Sequence, residues 1–223
     1  MKRRTLPVAA ALTATAALLL TACGGGDDSS KGNNDKIAGA DGTGGSTSPS
    51  PSASASTSTE KNAPSFDFPS DITVAVDRES TGDATKDAVL RDLAYAAEAR
   101  LEAFAKGNGQ TANLNRYFAG YARTYWIDRV AELKKQGLTV TGHYRFFDFE
   151  VTDVANSKTA AVRYCEDQSK AYGKVIKTQK VQVTKPSDKD FILNTLQVAK
   201  DSAGDWQVTR QSWKKGDASC VRG

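Results

Sequence analysis

The spacing of apolar residues along the chain predicts where its helices lie. Across residues 83–106, and again across residues 114–136, apolar side chains recur at intervals of three and four, which is the pattern of an amphipathic helix. The glycine-rich stretch at 107–109 ends the first helix, and Gly120 is expected to break the second region. The first half of the folded part of the chain is therefore predicted to be helical.

From residue 138 onward, β-branched and aromatic residues dominate, which predicts strands. Four segments have this pattern: 138–154, 159–168, 191–200 and 206–213. Turns are expected at 156–157 and 202–205, and a short strand at 72–76. The lysine-rich stretch 169–190 is expected to leave the sheet, with Val181 and Val183 as candidates for a strand extension.

The first 22 residues have the arrangement of a secretory signal peptide. Three positive charges precede an apolar run over residues 6–20, and small residues follow. The run is shorter than the roughly 20 residues that span a bilayer. Leu20-Thr21-Ala22-Cys23 resembles the bacterial lipobox, which implies cleavage before Cys23 and attachment of lipid to its thiol. We expect a protein held by that lipid on the outer face of the cell membrane.

Residues 23–64 predict a tether without a core. Glycine, serine, threonine, alanine and proline dominate, and Ile37 is the one large aliphatic residue. Such a segment buries too little apolar surface to offset its ordering entropy. We expect a disordered spacer with a root-mean-square length of roughly 35 Å, followed by a folded domain over residues 65–223.

Charge argues against nucleic acid as a partner. Loss of residues 1–22 would lower the formal net charge from +4 to +1. A nearly neutral exported chain lacks the basic surface that nucleic-acid binding requires.

The two cysteines beyond Cys23 are expected to pair. Cys165 and Cys220 would close a 55-residue loop, worth up to ~4 kcal/mol in the chain-entropy model. The export predicted above permits a disulfide, and two free thiols are the alternative. With one histidine in the chain, no metal site or cofactor is predicted.

Helices followed by an antiparallel meander suggest an α+β domain in which helices pack into a curved sheet. Three segments add to this order: 136–142, 164–169, and 206–209 together with Cys220. In the element order and these segments, the chain resembles the nuclear-transport-factor-2-like superfamily, a cone-shaped fold, and in particular actinomycete surface lipoproteins of unknown function. The resemblance extends over about residues 83–220. In the enzymes of this superfamily, the mouth of the cone holds an acid or histidine base and tyrosine donors.

Several residues of this chain are candidates for lining such a mouth: Tyr95, Tyr125, Trp126, Asp128, His143 and Tyr144. The aromatic residues have core packing as their alternative role. For the carboxylates Asp92 and Asp128, the alternative is a solvated ion pair with a neighbouring arginine. No catalytic residue is assigned.

The pattern as a whole favours a binding or interaction module without catalysis on the surface of a Gram-positive cell. Its partners would be the membrane, through the lipid, and an envelope protein or small apolar ligand. Because the predicted strands have apolar residues on both faces, a homodimer is also considered. A small isomerase or dehydratase with a cone fold is the alternative function.

Overall fold

The computed structural model describes residues 62–222. The predicted signal peptide 1–22, Cys23 and most of the predicted tether 23–64 lie outside the described residues. The elements are β1 (Ile72–Val76), α1 (Ala84–Lys106), α2 (Ala112–Tyr117), α3 (Gly120–Lys135), β2 (Leu138–Ala155), β3 (Thr159–Val175), β4 (Val181–Gln182), β5 (Phe191–Lys200), β6 (Trp206–Lys215) and α4 (Ala218–Val221).

The helices begin and end where local chemistry favours it. The Asp83 carboxylate accepts hydrogen bonds from the backbone N–H groups of Thr85 and Lys86, and this caps α1. Gly107 ends the helix in the left-handed conformation, with φ of 57°. The predicted break at Gly120 separates α2 from α3.

Within residues 62–222, six strands form one curved, unclosed sheet. Along the sheet the order is β1-β2-β3-β5-β6, and β4 pairs with the end of β3. β1 lies parallel to β2, whereas the other pairs are antiparallel. The predicted α+β class, with helices packed into a curved antiparallel sheet, is confirmed.

The lysine-rich stretch differs from its prediction. Residues 169–175 continue β3 instead of leaving the sheet, and only Val181 and Gln182 of the excursion form a strand. The continuation is stabilised by pairing with the start of β2, where Leu138 lies opposite Val175. Lys174 therefore belongs to the sheet, and its ammonium group bonds to Asp71 at 2.6 Å.

The core lies between the helices and the concave face of the sheet. The predicted apolar stripe of α1 faces this core, and Leu90, Leu93 and Leu101 are buried there. Trp206, at the start of β6, and Phe146 on β2 are also buried. The concave face thus carries the main hydrophobic core of the described residues.

Some apolar residues of the opposite, convex face are buried beneath α4 of the same chain. The predicted disulfide between Cys165 and Cys220 is present and links β3 to α4. Around it pack Phe147, Phe191 and Leu193. This cluster explains part of the two-faced apolar pattern that had suggested a second subunit.

Candidate functional site

A cavity of about 280 Å³ opens between α1, α3 and the concave face of the sheet. This α1–α3 cavity is close to the lower size range of small-molecule sites, about 300 Å³. Its wall consists of aromatic rings and its inner end is polar. Three cationic side chains line the cavity: Arg100, which is buried, and Arg129 and Lys215, which are exposed.

The aromatic wall joins α3 to β6. Trp126 lies edge-on to Phe104 and Tyr125, with ring centroids 5.7 and 5.0 Å away. Trp213 lies 5.4 Å from Tyr125 and 6.1 Å from Trp126. The indole N–H of Trp126 donates to the side-chain oxygen of Gln211 at 2.6 Å, which holds the ring in place. These contacts form an apolar surface against which a ligand ring can pack.

The polar end is built around a buried ion pair. Arg100 Nη2 lies 2.6 Å from Glu166 Oε2, and the two side chains are 11% and 2% exposed. Gln168 donates to the other oxygen of Glu166 at 2.6 Å, and Asn194 donates to Oε2 at 3.5 Å. Every oxygen of this carboxylate therefore has a hydrogen-bond donor.

The Arg100 guanidinium stays charged in the fold. Burial lowers the pKa of the Arg100 guanidinium, but the neighbouring Glu166 carboxylate outweighs this, so the pKa lies above its ordinary value. The guanidinium also lies over the Trp126 ring, 5.0 Å from its centroid. Arg100 thus connects the polar end of the cavity to its aromatic wall.

Tyr144 adds a hydroxyl group to the cavity. The side chain is buried, and burial raises the pKa of its hydroxyl, which is therefore protonated at neutral pH. Within residues 62–222 this hydroxyl has no hydrogen-bond partner. It is available to a ligand.

Three of the six candidate residues line the α1–α3 cavity: Tyr125, Trp126 and Tyr144. Asp128 is exposed on α3, away from the cavity. His143 is also exposed, and its Nδ1 contacts the Thr73 hydroxyl of β1. The next residue along β2, Tyr144, is by contrast buried and lines the cavity.

Tyr95 lies in a separate cavity of about 200 Å³, here called the Asp92 cavity, which is also lined by Asp92, Tyr117, Arg116 and Asp205. We expected Asp92 to form a solvated ion pair, but its side chain is buried. Its carboxylate accepts from Arg91 Nε at 2.8 Å and from the backbone N–H of Trp206 at 2.9 Å. Burial raises the pKa of Asp92. Oδ2 of Asp92 thus holds the start of β6 against α1, and Oδ1 is bonded to Arg91 on the same helix.

The sequence reasoning missed the polar end of the α1–α3 cavity. Arg100 follows Leu93 by seven residues and so lies on the apolar stripe of α1. A charged residue on such a stripe is a detectable irregularity, since buried arginine requires a partner. Glu166, next to Cys165 in a predicted strand, is the corresponding irregularity on the sheet.

Neither a metal cluster nor a membrane-spanning helix is found in the part of the chain that the structure describes. No group of three or more histidine, cysteine, aspartate or glutamate side chains is placed to hold a metal ion within residues 62–222. Of the helices described, none is both long and apolar enough to cross a bilayer.

No family model matches the chain, and no curated protein is significantly similar to it. Among solved structures, the chain is similar to the intermembrane space region of the chloroplast protein ARC6, with 18% identity and a TM-score of 0.41 over 56% of this chain and 92% of that one. It is also similar to a ketosteroid isomerase-like protein from Erwinia carotovora atroseptica, with 19% identity and a TM-score of 0.37 over 56% of this chain and 95% of that one.

Proposed function

We propose that this protein is a lipid-anchored extracytoplasmic binding module that holds a small ligand in the α1–α3 cavity. The anchor would be a lipid on Cys23, supported by the charge, apolar run and lipobox-like residues that precede it. The disulfide between Cys165 and Cys220 fits an exported, oxidising environment. Two or more acyl chains would make such anchoring stable.

The main support for a binding function is that the carboxylate of Glu166 is already fully bonded within the protein. It is the one acidic side chain among the described residues that line the cavity. Its carboxylate is paired with Arg100 and bonded by two side-chain amides. A general base needs a carboxylate free to accept a proton from a substrate. The cavity therefore supports binding better than the isomerase or dehydratase alternative.

Two tyrosines of α3 provide a matched test of binding. Tyr125 lines the cavity, whereas Tyr121 lies one turn earlier and is 68% exposed. The probe is N-phenylnaphthylamine, a neutral fluorophore, titrated into the purified full chain carrying Cys23→Ser, which prevents acylation.

In that titration we expect Tyr125→Ala to weaken binding about tenfold, because the substitution removes a wall of the site. Tyr121→Ala should change binding less than twofold. Equal effects of the two substitutions would overturn the proposed cavity function.

The anchor is tested separately by fractionating cells. The chain with Cys23→Ala should leave the membrane pellet and appear in the soluble fraction, because serine or alanine cannot form the thioether to lipid. Persistence of the variant in the pellet would contradict anchoring through Cys23.

A further inference from the structure

We infer that the ligand of the α1–α3 cavity is a small organic anion, with its ring against the aromatic wall and its anionic group between Arg100 and Lys215. This inference rests on the proposed binding function and adds the chemical class of the ligand. The residues lining the cavity include three cations, Arg100, Arg129 and Lys215, against the single carboxylate of Glu166. The formal charge of the lining is therefore positive.

Arg100 has donors to spare. A guanidinium carries five N–H groups, and Arg100 makes one hydrogen bond within residues 62–222, to Glu166. Its remaining N–H groups have no acceptor there. Tyr144, which lines the same cavity, has a protonated hydroxyl without a partner in the described residues. An anionic group placed at this end would receive charge-assisted hydrogen bonds, which are the stronger kind.

Strand pairing places Lys215 on the other side of that position. Glu166 pairs with Ile192 on β5, and Ile192 pairs with Lys215 on β6. The three residues form one row across the sheet, and all three line the cavity. Adjacent strands lie ~4.8 Å apart, so Lys215 stands two strands, or about 10 Å, from Glu166. Its four-carbon stem can carry the ammonium group over Ile192 toward Arg100.

Lys215 also lacks an acidic partner of its own. Within the described residues no carboxylate lies in salt-bridge distance of its ammonium group. Its neighbour Lys214 is paired with Asp217 at 3.1 Å and does not line the cavity. Arg129 contacts Glu132, which offsets part of its charge. Lys215 is thus the cation whose charge an anionic ligand would satisfy.

A cationic ligand would meet like charges at both ends of this arrangement. A neutral apolar ligand would fill the aromatic wall but would leave the donors of Arg100 and Tyr144 without acceptors, which is costly once water is displaced. A carboxylate, sulfonate or phosphate group attached to a planar ring satisfies both the wall and the donors.

The test compares two fluorophores that share one ring system. Anilinonaphthalene sulfonate carries an anionic group, and N-phenylnaphthylamine is its neutral counterpart. Both are titrated into the full chain carrying Cys23→Ser and into the same chain with Lys215→Met. The matched control is Lys214→Met, which removes an identical charge one residue away from the cavity.

We expect Lys215→Met to weaken binding of the sulfonate about tenfold and to leave binding of the neutral probe within twofold. Lys214→Met should leave both unchanged. If both probes bind and Lys215→Met affects neither, the preference for an anion is overturned while the cavity function stands. If neither probe binds, or if binding is insensitive to Tyr125→Ala, the proposed cavity function itself fails.

Discussion

Replacing Arg100 by methionine should be among the most destabilising single changes in the described part of the chain. The substitution keeps an unbranched apolar stem but leaves the Glu166 carboxylate buried without its counter-ion. With charge centres ~4 Å apart and an effective dielectric constant of 20, the lost attraction is about 4 kcal/mol. Breaking a buried pair typically costs ~3–5 kcal/mol. Because Gln168 and Asn194 still donate to Glu166, we expect a loss of about 3 kcal/mol in the free energy of unfolding.

The double variant Arg100→Met/Glu166→Leu separates the ion pair from simple loss of packing. It removes both buried charges, so no uncompensated carboxylate remains. Its destabilisation should fall short of the sum of the two single variants by about 2 kcal/mol. Urea unfolding followed by tryptophan fluorescence, with the disulfide intact, measures each free energy.

A surface ion pair between β3, the strand of Glu166, and β2 provides the control. Arg163 on β3 lies 2.5 Å from Glu150 on β2, and both side chains are about half exposed, at 47% and 51%. Arg163→Met should therefore cost less than about 1 kcal/mol. If Arg100→Met costs no more than Arg163→Met, or if the Arg100 and Glu166 substitutions are additive, the buried pair does not act as argued here.

Three further predictions concern the disulfide, a glycine and a carboxylate. Replacing Cys165 and Cys220 together by alanine should lower the free energy of unfolding by about 2–4 kcal/mol, because the 55-residue loop becomes free in the unfolded chain; a loss below 1 kcal/mol in urea unfolding would contradict this. Gly142→Ala should cost at least about 2 kcal/mol, because its Cβ would lie 2.2 Å from a backbone oxygen of β3. Gly82→Ala, which has similar positive φ in open space, should cost only ~1 kcal/mol in the same assay. Burial raises the pKa of Glu98 to about 7, so the folded chain should lose stability as pH rises from about 4.5 to 7. In urea unfolding at pH 5 and 8, Glu98→Gln should reduce that loss of stability by about 1–2 kcal/mol. If the variant leaves the pH dependence of stability unchanged, this prediction is wrong.

Several features of the fold could be predicted because they depend on short-range pattern. Helices and strands have periods of 3.6 and 2 residues, and both were visible in the spacing of apolar side chains. The end of α1 at Gly107 and the break at Gly120 followed from glycine. The Cys165–Cys220 disulfide could be predicted by counting, because the lipobox-like motif contains Cys23 and two other cysteines remain.

The faces of the long strands could not be predicted in the same way. β2 has register shifts at three places, and Asp148 has a φ of 52° at one of them. Such bulges break the alternation that assigns side chains to a face. Both faces of the sheet also carry apolar clusters. The adjacent residues Phe146 and Phe147 are therefore both buried, the first in the main core and the second beside the disulfide. One of the register shifts falls between His143 and Arg145, so only the observed packing shows that Tyr144 lines the cavity and that His143 is exposed.

The α1–α3 cavity depends on contacts between residues far apart in the chain. Arg100 meets Glu166 across 66 residues, and Trp126 meets Gln211 across 85. The row from Glu166 to Lys215 exists only through the pairing of three strands. Local periodicity thus decided which segments become helix or strand and which residues are apolar on each. The packing of α1 and α3 on the sheet decided which charges meet in the cavity, because strand register and helix placement are set by the whole core.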